Sequence, residues 1–188
     1  RSSFPSLPIV IFTYLNPIAY SSLFTFETFA EKASESGADS LLCLDLTPEE
    51  DKNHKPISYS AIMKKNGIAT VSLVAPTTPP ERIPTLAKFA NSFIYYVSRE
   101  GVTGESKNFN ANFADKISLI KKYSKLPVVV GFGISNKEHV HEAASTGVDG
   151  VVVGSAIVRK VESFSLGQGT TEDIEHFVSE LKNGVYLG

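Results

Sequence analysis

Two apolar runs in this sequence stop at glycine. They are Pro127-Val128-Val129-Val130-Gly131-Phe132-Gly133-Ile134-Ser135 and Gly150-Val151-Val152-Val153-Gly154-Ser155-Ala156. Both are β-branched, and helical sequence follows each. Strands ending this way bring bare backbone N–H groups to helix starts, where they can hold an anion. Ser155 adds a hydroxyl at one of these starts. The pair reads as a phosphate cradle or, more plainly, as two turns. Gly131-Phe132-Gly133 is not a dinucleotide fingerprint, because Asn136 stands where its third glycine belongs.

Other positions could contribute chemistry at strand ends. Tyr14-Leu15-Asn16-Pro17 follows a predicted strand and is either an Asn-Pro turn or a functional loop. Asp45 ends another strand, in Leu44-Asp45-Leu46-Thr47-Pro48, and could catalyse, orient a loop or form a turn. Tyr95 could line a pocket or pack in the core. Gly101-Val102-Thr103-Gly104 opens a polar loop running through Asn108, Asn110 and Asn112, which suits a hinged lid or simple disorder. No metal site is expected: His139 and His141 stand two apart on a helix, and His54 and His176 have no ligand neighbours. Cys43, the single cysteine, lies in an apolar run and reads as an inert core thiol.

The elements that must position these residues alternate between strand and helix, which predicts a parallel sheet with crossover helices. Strands are expected at 7–13, 40–45, 69–74, 93–97, 128–130 and 151–153. Helices are expected at 23–36, 58–66, 80–90, 113–123, 137–146, a short one from Ser155, and 171–183. Asn136 suits an N-cap; Gly37, Gly67 and Gly147 suit helix stops. In (β/α)8 barrels the loops after strands 7 and 8 often bind phosphate. If the two glycine runs are those strands, residues 7–13 are strand 3, and the first two βα units are absent. Barrels typically have about 250 residues. An open doubly wound sheet is the alternative.

The chain has 188 residues, 42% hydrophobic and 20% charged, with net charge −2. That predicts a single domain over 1–188 with a sizeable core, in a cytoplasmic protein. Near-neutral charge argues against broad nucleic-acid or membrane binding. The chain starts at Arg1 and its only methionine is Met63, which suggests a fragment or a trimmed start.

In order, Tyr14-x-Asn16-Pro17-Ile18, Asp45-Leu46, Ala75-Pro76-Thr77-Thr78-Pro79, Tyr95-x-Val97-Ser98, Gly101-Val102-Thr103-Gly104, Gly131-Phe132-Gly133-Ile134-Ser135 and Gly154-Ser155-Ala156 closely resemble the tryptophan synthase alpha-subunit family, over nearly the whole chain. The resemblance implies a (β/α)8 TIM barrel, here its C-terminal six units. It implies a lyase of tryptophan biosynthesis that cleaves indole-3-glycerol phosphate by a retro-aldol reaction to indole and glyceraldehyde 3-phosphate. It further implies no cofactor in this chain, and a heterotetramer with a beta subunit carrying pyridoxal phosphate.

By the same resemblance, Gly104, Phe132, Gly133, Gly154 and Ser155 surround the substrate phosphate. Thr103 sits on the lid and Tyr95 near the reacting glycerol. Phe12, Leu42 and Leu73 line the indole pocket, and Asn16 and Pro17 face the beta subunit. The reaction needs a proton delivered to indole C3 and bases for the indole N–H and a glycerol hydroxyl, hence two carboxylates in different environments. The family's Glu and Asp lie before the region matched here, so this chain alone is expected to be inactive. The alternative is a non-catalytic module that keeps phosphate or beta-subunit binding. Another phosphate-binding barrel, such as an isomerase of the same pathway, fits the Gly101–Gly104 motif less well.

Overall fold

The computed structural model describes residues 3–53, 58–97, 107–131 and 133–186, with side chains omitted at 53 and 107–112. The strands are β1 (Val10–Thr13), β2 (Ser40–Cys43), β3 (Ala69–Thr70), β4 (Ser72–Val74), β5 (Ile94–Val97), β6 (Val128–Gly131) and β7 (Gly150–Val152). The α-helices are α1 (Asn16–Ala19), α2 (Phe26–Glu35), α3 (Pro48–Asn53), α4 (Tyr59–Lys65), α5 (Ile83–Phe89), α6 (Lys107–Tyr123), α7 (Lys137–Ser145), α8 (Ser155–Ser165) and α9 (Thr171–Asn183). Two compact units emerge: residues 1–74 with 79–94, and residues 75–78 with 95–188.

Strands lie in sequence order, β1-β2-β3 in one sheet and β4-β5-β6-β7 in the other. The β1–β2, β2–β3 and β6–β7 pairs are parallel. A doubly wound sheet reverses its strand order at a switch point. The order here contains no such reversal and is that of a (β/α) barrel. The expected strand over 69–74 is interrupted at Val71, whose N–H bonds Leu41 O at 3.0 Å while the next N–H, that of Ser72, turns to Phe93 O at 3.4 Å.

In the first unit, Ile18, Phe26, Ala30, Leu41, Ile62, Met63 and Ile68 form the centre of the core. Helix α2 starts late, at Phe26, because Thr25 and Thr28 close a capping box. In the second unit, Phe113, Ile117 and Ile120 form a buried stripe on α6. That helix runs back to Lys107, so Asn108, Asn110 and Asn112 belong to a helix rather than to the expected loop. Helix propensity is a weak prior, and a helix anchored by packing extends through poor formers. Helix α8 has 11 residues, longer than expected, whereas α9 and the Asn136 cap of α7 stand as read from sequence.

One device recurs where strands begin or break. Ile9 N–H donates to Asp39 Oδ2 at 2.7 Å, and Asp39 N–H donates to Ile9 O at 2.9 Å. Thr70 and Asn91 repeat this, with Thr70 N–H to Asn91 Oδ1 at 2.6 Å and Asn91 N–H to Thr70 O at 3.1 Å. Val128 and Asp149 form the third copy. Each ring ties two chain segments at one end, and the fixed strand rise then sets where their other ends finish.

Candidate functional site

The β6–β7 register pairs Val129 with Gly150, Val130 with Val151 and Gly131 with Val152. Gly133 and Gly154 each stand two residues beyond the last of these pairs, so both loops leave the sheet at the same level. Gly133 has φ +71°, a left-handed conformation that favours glycine. Gly154 is the N-cap of α8 and offers no side-chain oxygen to its first turn. Thr25, Ser58, Asn136 and Thr170 do cap α2, α4, α7 and α9. The first-turn N–H groups of α8 point away from the helix, at its positive end. Gly133, Gly154 and Ser155 are all exposed, and a Cβ at Gly154 would meet nothing within 4 Å.

Tyr95 comes to the same strand from β5. It is 9% exposed, and burial raises its hydroxyl pKa. A Cβ on Gly131 would collide with the Tyr95 hydroxyl and lie 3.0 Å from Val152 Cβ. Gly131 therefore gives Tyr95 its room, at the end of β6. Gly104, Thr103 and Phe132 lie outside the described residues, as does the Gly101-Val102-Thr103-Gly104 motif.

Phe12 and Leu42 are register partners on β1 and β2. Both lie on the face opposite the one that sends Leu41 and Cys43 into the core. Leu42 is buried while Phe12 is 60% exposed, and Leu73 on β4 is half-buried. Asn16 and Pro17 form the first two positions of one-turn helix α1, rather than a plain Asn-Pro turn. Both are exposed, between Tyr14 and Tyr20, which are exposed too.

Asp45 holds that segment. Its Oδ1 accepts the Leu15 N–H at 2.6 Å and the Cys43 thiol at 3.5 Å. Burial first, and then the Asp45 charge, push the Cys43 thiol up to about 12. Among the described residues, no group of three or more His, Cys, Asp or Glu side chains is placed to hold a metal ion. No described helix is long and apolar enough to cross a membrane.

Sequence reading missed two contacts near these loops. Ser135 Oγ lies 3.3 Å from His139 Nδ1, and Lys116 Nζ donates to Thr78 O at 2.5 Å. The strand-start rings did leave a signal: Gly37-Ala38-Asp39 and Gly147-Val148-Asp149 repeat one pattern after a helix stop.

Comparison with known proteins adds an independent line. The family model described as "Tryptophan synthase alpha chain" matches residues 1–186. A tryptophan synthase alpha chain from Opitutus terrae is 46% identical over 155 residues, covering 82% of this chain and 55% of that protein. One from Solibacter usitatus is 40% identical, covering 95% and 63%. Among solved structures, tryptophan synthase subunit alpha from Legionella pneumophila superposes with a TM-score of 0.80 at 29% identity, covering 99% of this chain and 65% of that one. A Pyrococcus furiosus alpha-subunit mutant gives 0.77 at 35% identity, covering 95% and 67%. The chain thus spans 55% and 63% of the two curated relatives' lengths.

Proposed function

This chain belongs to the tryptophan synthase alpha chain family, and on that footing we propose that its protein is the lyase that cleaves indole-3-glycerol phosphate to indole and glyceraldehyde 3-phosphate. Residues 1–188 contribute to it as one domain of βα units. The observation that carries this reading is the β6–β7 register, with Gly133 and Gly154 at matching positions beyond it. A glycine with positive φ beside an uncapped helix start suits a phosphate dianion. Gly104, Phe132 and Ser155 complete the cradle in this reading, and Thr103 serves on the loop that covers the substrate.

The phosphate anchors one end of the substrate. Phe12, Leu42 and Leu73 receive the indole ring by apolar contact. Tyr95, packed against Gly131, serves the reacting glycerol in this reading. Cleavage breaks the bond from indole C3 to the glycerol carbon as C3 takes a proton and a glycerol hydroxyl loses one. Asp45 is engaged with Leu15 and Cys43, so we assign it to holding the Asn16–Pro17 segment and not to proton transfer. Asn16 and Pro17 face a beta subunit in an alpha–beta heterotetramer. That partner carries the pyridoxal phosphate, and this chain needs no cofactor of its own.

The test is release of indole from indole-3-glycerol phosphate by the intact protein, with wild type beside Gly154→Ala. Indole release with a KM raised by the substitution supports the reading. No indole release from the intact wild-type protein overturns it.

A further inference from the structure

We propose that Lys116 is a positioning residue for the substrate pocket, clamping the turn after β4 to helix α6; this rests on the lyase reading above. The turn is Ala75-Pro76-Thr77-Thr78. Its ends are joined twice, by Thr78 N–H to Ala75 O and by Ala75 N–H to Thr78 Oγ1, each at 2.9 Å. Pro76 takes the second position, where its fixed φ suits the turn. Prolines at 76, 79 and 80 remove three backbone N–H groups from this short stretch. Few local donors remain, and the Thr78 carbonyl, which heads the Thr78–Pro79 amide, takes its donor from another element.

That donor is Lys116, half-buried on α6, with Nζ at 2.5 Å from Thr78 O. Phe113 and Ile117, on either side of it in the sequence, are buried and anchor this stretch of α6 in the core. A charged donor makes a stronger bond than a neutral one. The clamped turn begins directly after Val74, next to Leu73, the residue assigned to the indole pocket. Lys116 therefore ties the turn that follows Leu73 and Val74 in the chain to helix α6. It touches no reacting group, so it governs binding and not the chemical step.

Lys116→Met keeps the stem and removes the donor; Lys116→Arg keeps a charged donor. In the intact protein, Lys116→Met is expected to raise the KM for indole-3-glycerol phosphate about tenfold, the scale of one charge-assisted hydrogen bond, with kcat near wild type. Amide exchange at Ala75 and Thr78 should quicken, and Lys116→Arg should restore both readouts. Unchanged exchange at Ala75 and Thr78 would overturn the clamp. Unchanged KM, or a lowered melting temperature and kcat without a KM effect, would overturn the positioning role. Should wild type release no indole, the lyase reading and the pocket role fail together, while exchange at Ala75 and Thr78 still decides the clamp.

Discussion

Val128 and Asp149 close a two-bond ring at the start of the β6–β7 pair. Val128 N–H donates to Asp149 Oδ2 at 2.8 Å, and Asp149 N–H donates to Val128 O at 2.8 Å. The other carboxylate oxygen takes Lys121 Nζ at 2.9 Å. At the opposite end of the same pair stand Gly133 and Gly154. A shift of one residue here would separate the two glycines and turn every β7 side chain to the other face.

Asp149→Ala should therefore cost about 1 kcal/mol, the scale of a partly exposed hydrogen-bonded ion pair, measured by urea unfolding. Burial pushes the Asp149 pKa up, but the Val128 N–H and the Lys121 ammonium outweigh it and hold it below 3.8. A carboxyl with a depressed folded pKa stabilises fully above its unfolded value, and that stabilisation is lost as pH falls through the folded one. The gap between wild type and Asp149→Ala should be complete at neutral pH and shrink below about pH 4. A gap independent of pH down to full acid unfolding would mean that the charge contributes nothing.

Gly131→Ala forces its new methyl onto the Tyr95 ring, with Cζ 2.8 Å away. Overpacking of this kind costs roughly 1–3 kcal/mol. Tyr95→Phe removes the hydroxyl but leaves the ring, so the double variant should recover part of the loss. A double-mutant cycle by thermal unfolding reads this coupling, and strict additivity would show that the two residues do not meet.

Gly154→Ala has open space around its new Cβ, so the melting temperature should hold. Phosphate or sulfate affinity should fall, because the methyl occupies the mouth of the cradle. Ser155→Ala should weaken the same anion by no more than about 1.5–3 kcal/mol, the range for a hydrogen bond to a charged group. Isothermal titration with inorganic phosphate checks both. Unaltered affinity in Gly154→Ala would move the anion elsewhere.

Cys43 should resist alkylation in the folded protein. It is 5% exposed, and with its pKa near 12 very little thiolate forms at pH 8. Labelling by iodoacetamide should follow unfolding, rising sharply across the urea transition. Rapid labelling in native buffer would contradict its burial.

What the sequence determined by itself is whatever depends on neighbours along the chain. The alternation of β-branched runs with capped helices predicts an α/β fold. Asn136 and Gly147 bracket α7 because a cap oxygen and a left-handed glycine act within one turn. The glycine-ended runs mark β6, β7 and the loops after them for the same local reason.

What only the tertiary structure decided depends on partners far along the chain. Phe12 and Leu42 share one face and one register position, yet one is exposed and the other buried. The run over 69–74 divides between two sheets because Val71 N–H finds its acceptor on Leu41 and Ser72 N–H finds its own on Phe93. Asn108 to Asn112 are helical because α6 is anchored further on, by Phe113, Ile117 and Ile120. Gly131 pairs with Val152 in a register that the Val128–Asp149 ring holds from the other end of the strands. Side-chain reach and strand register are set by folding, and no local pattern encodes them.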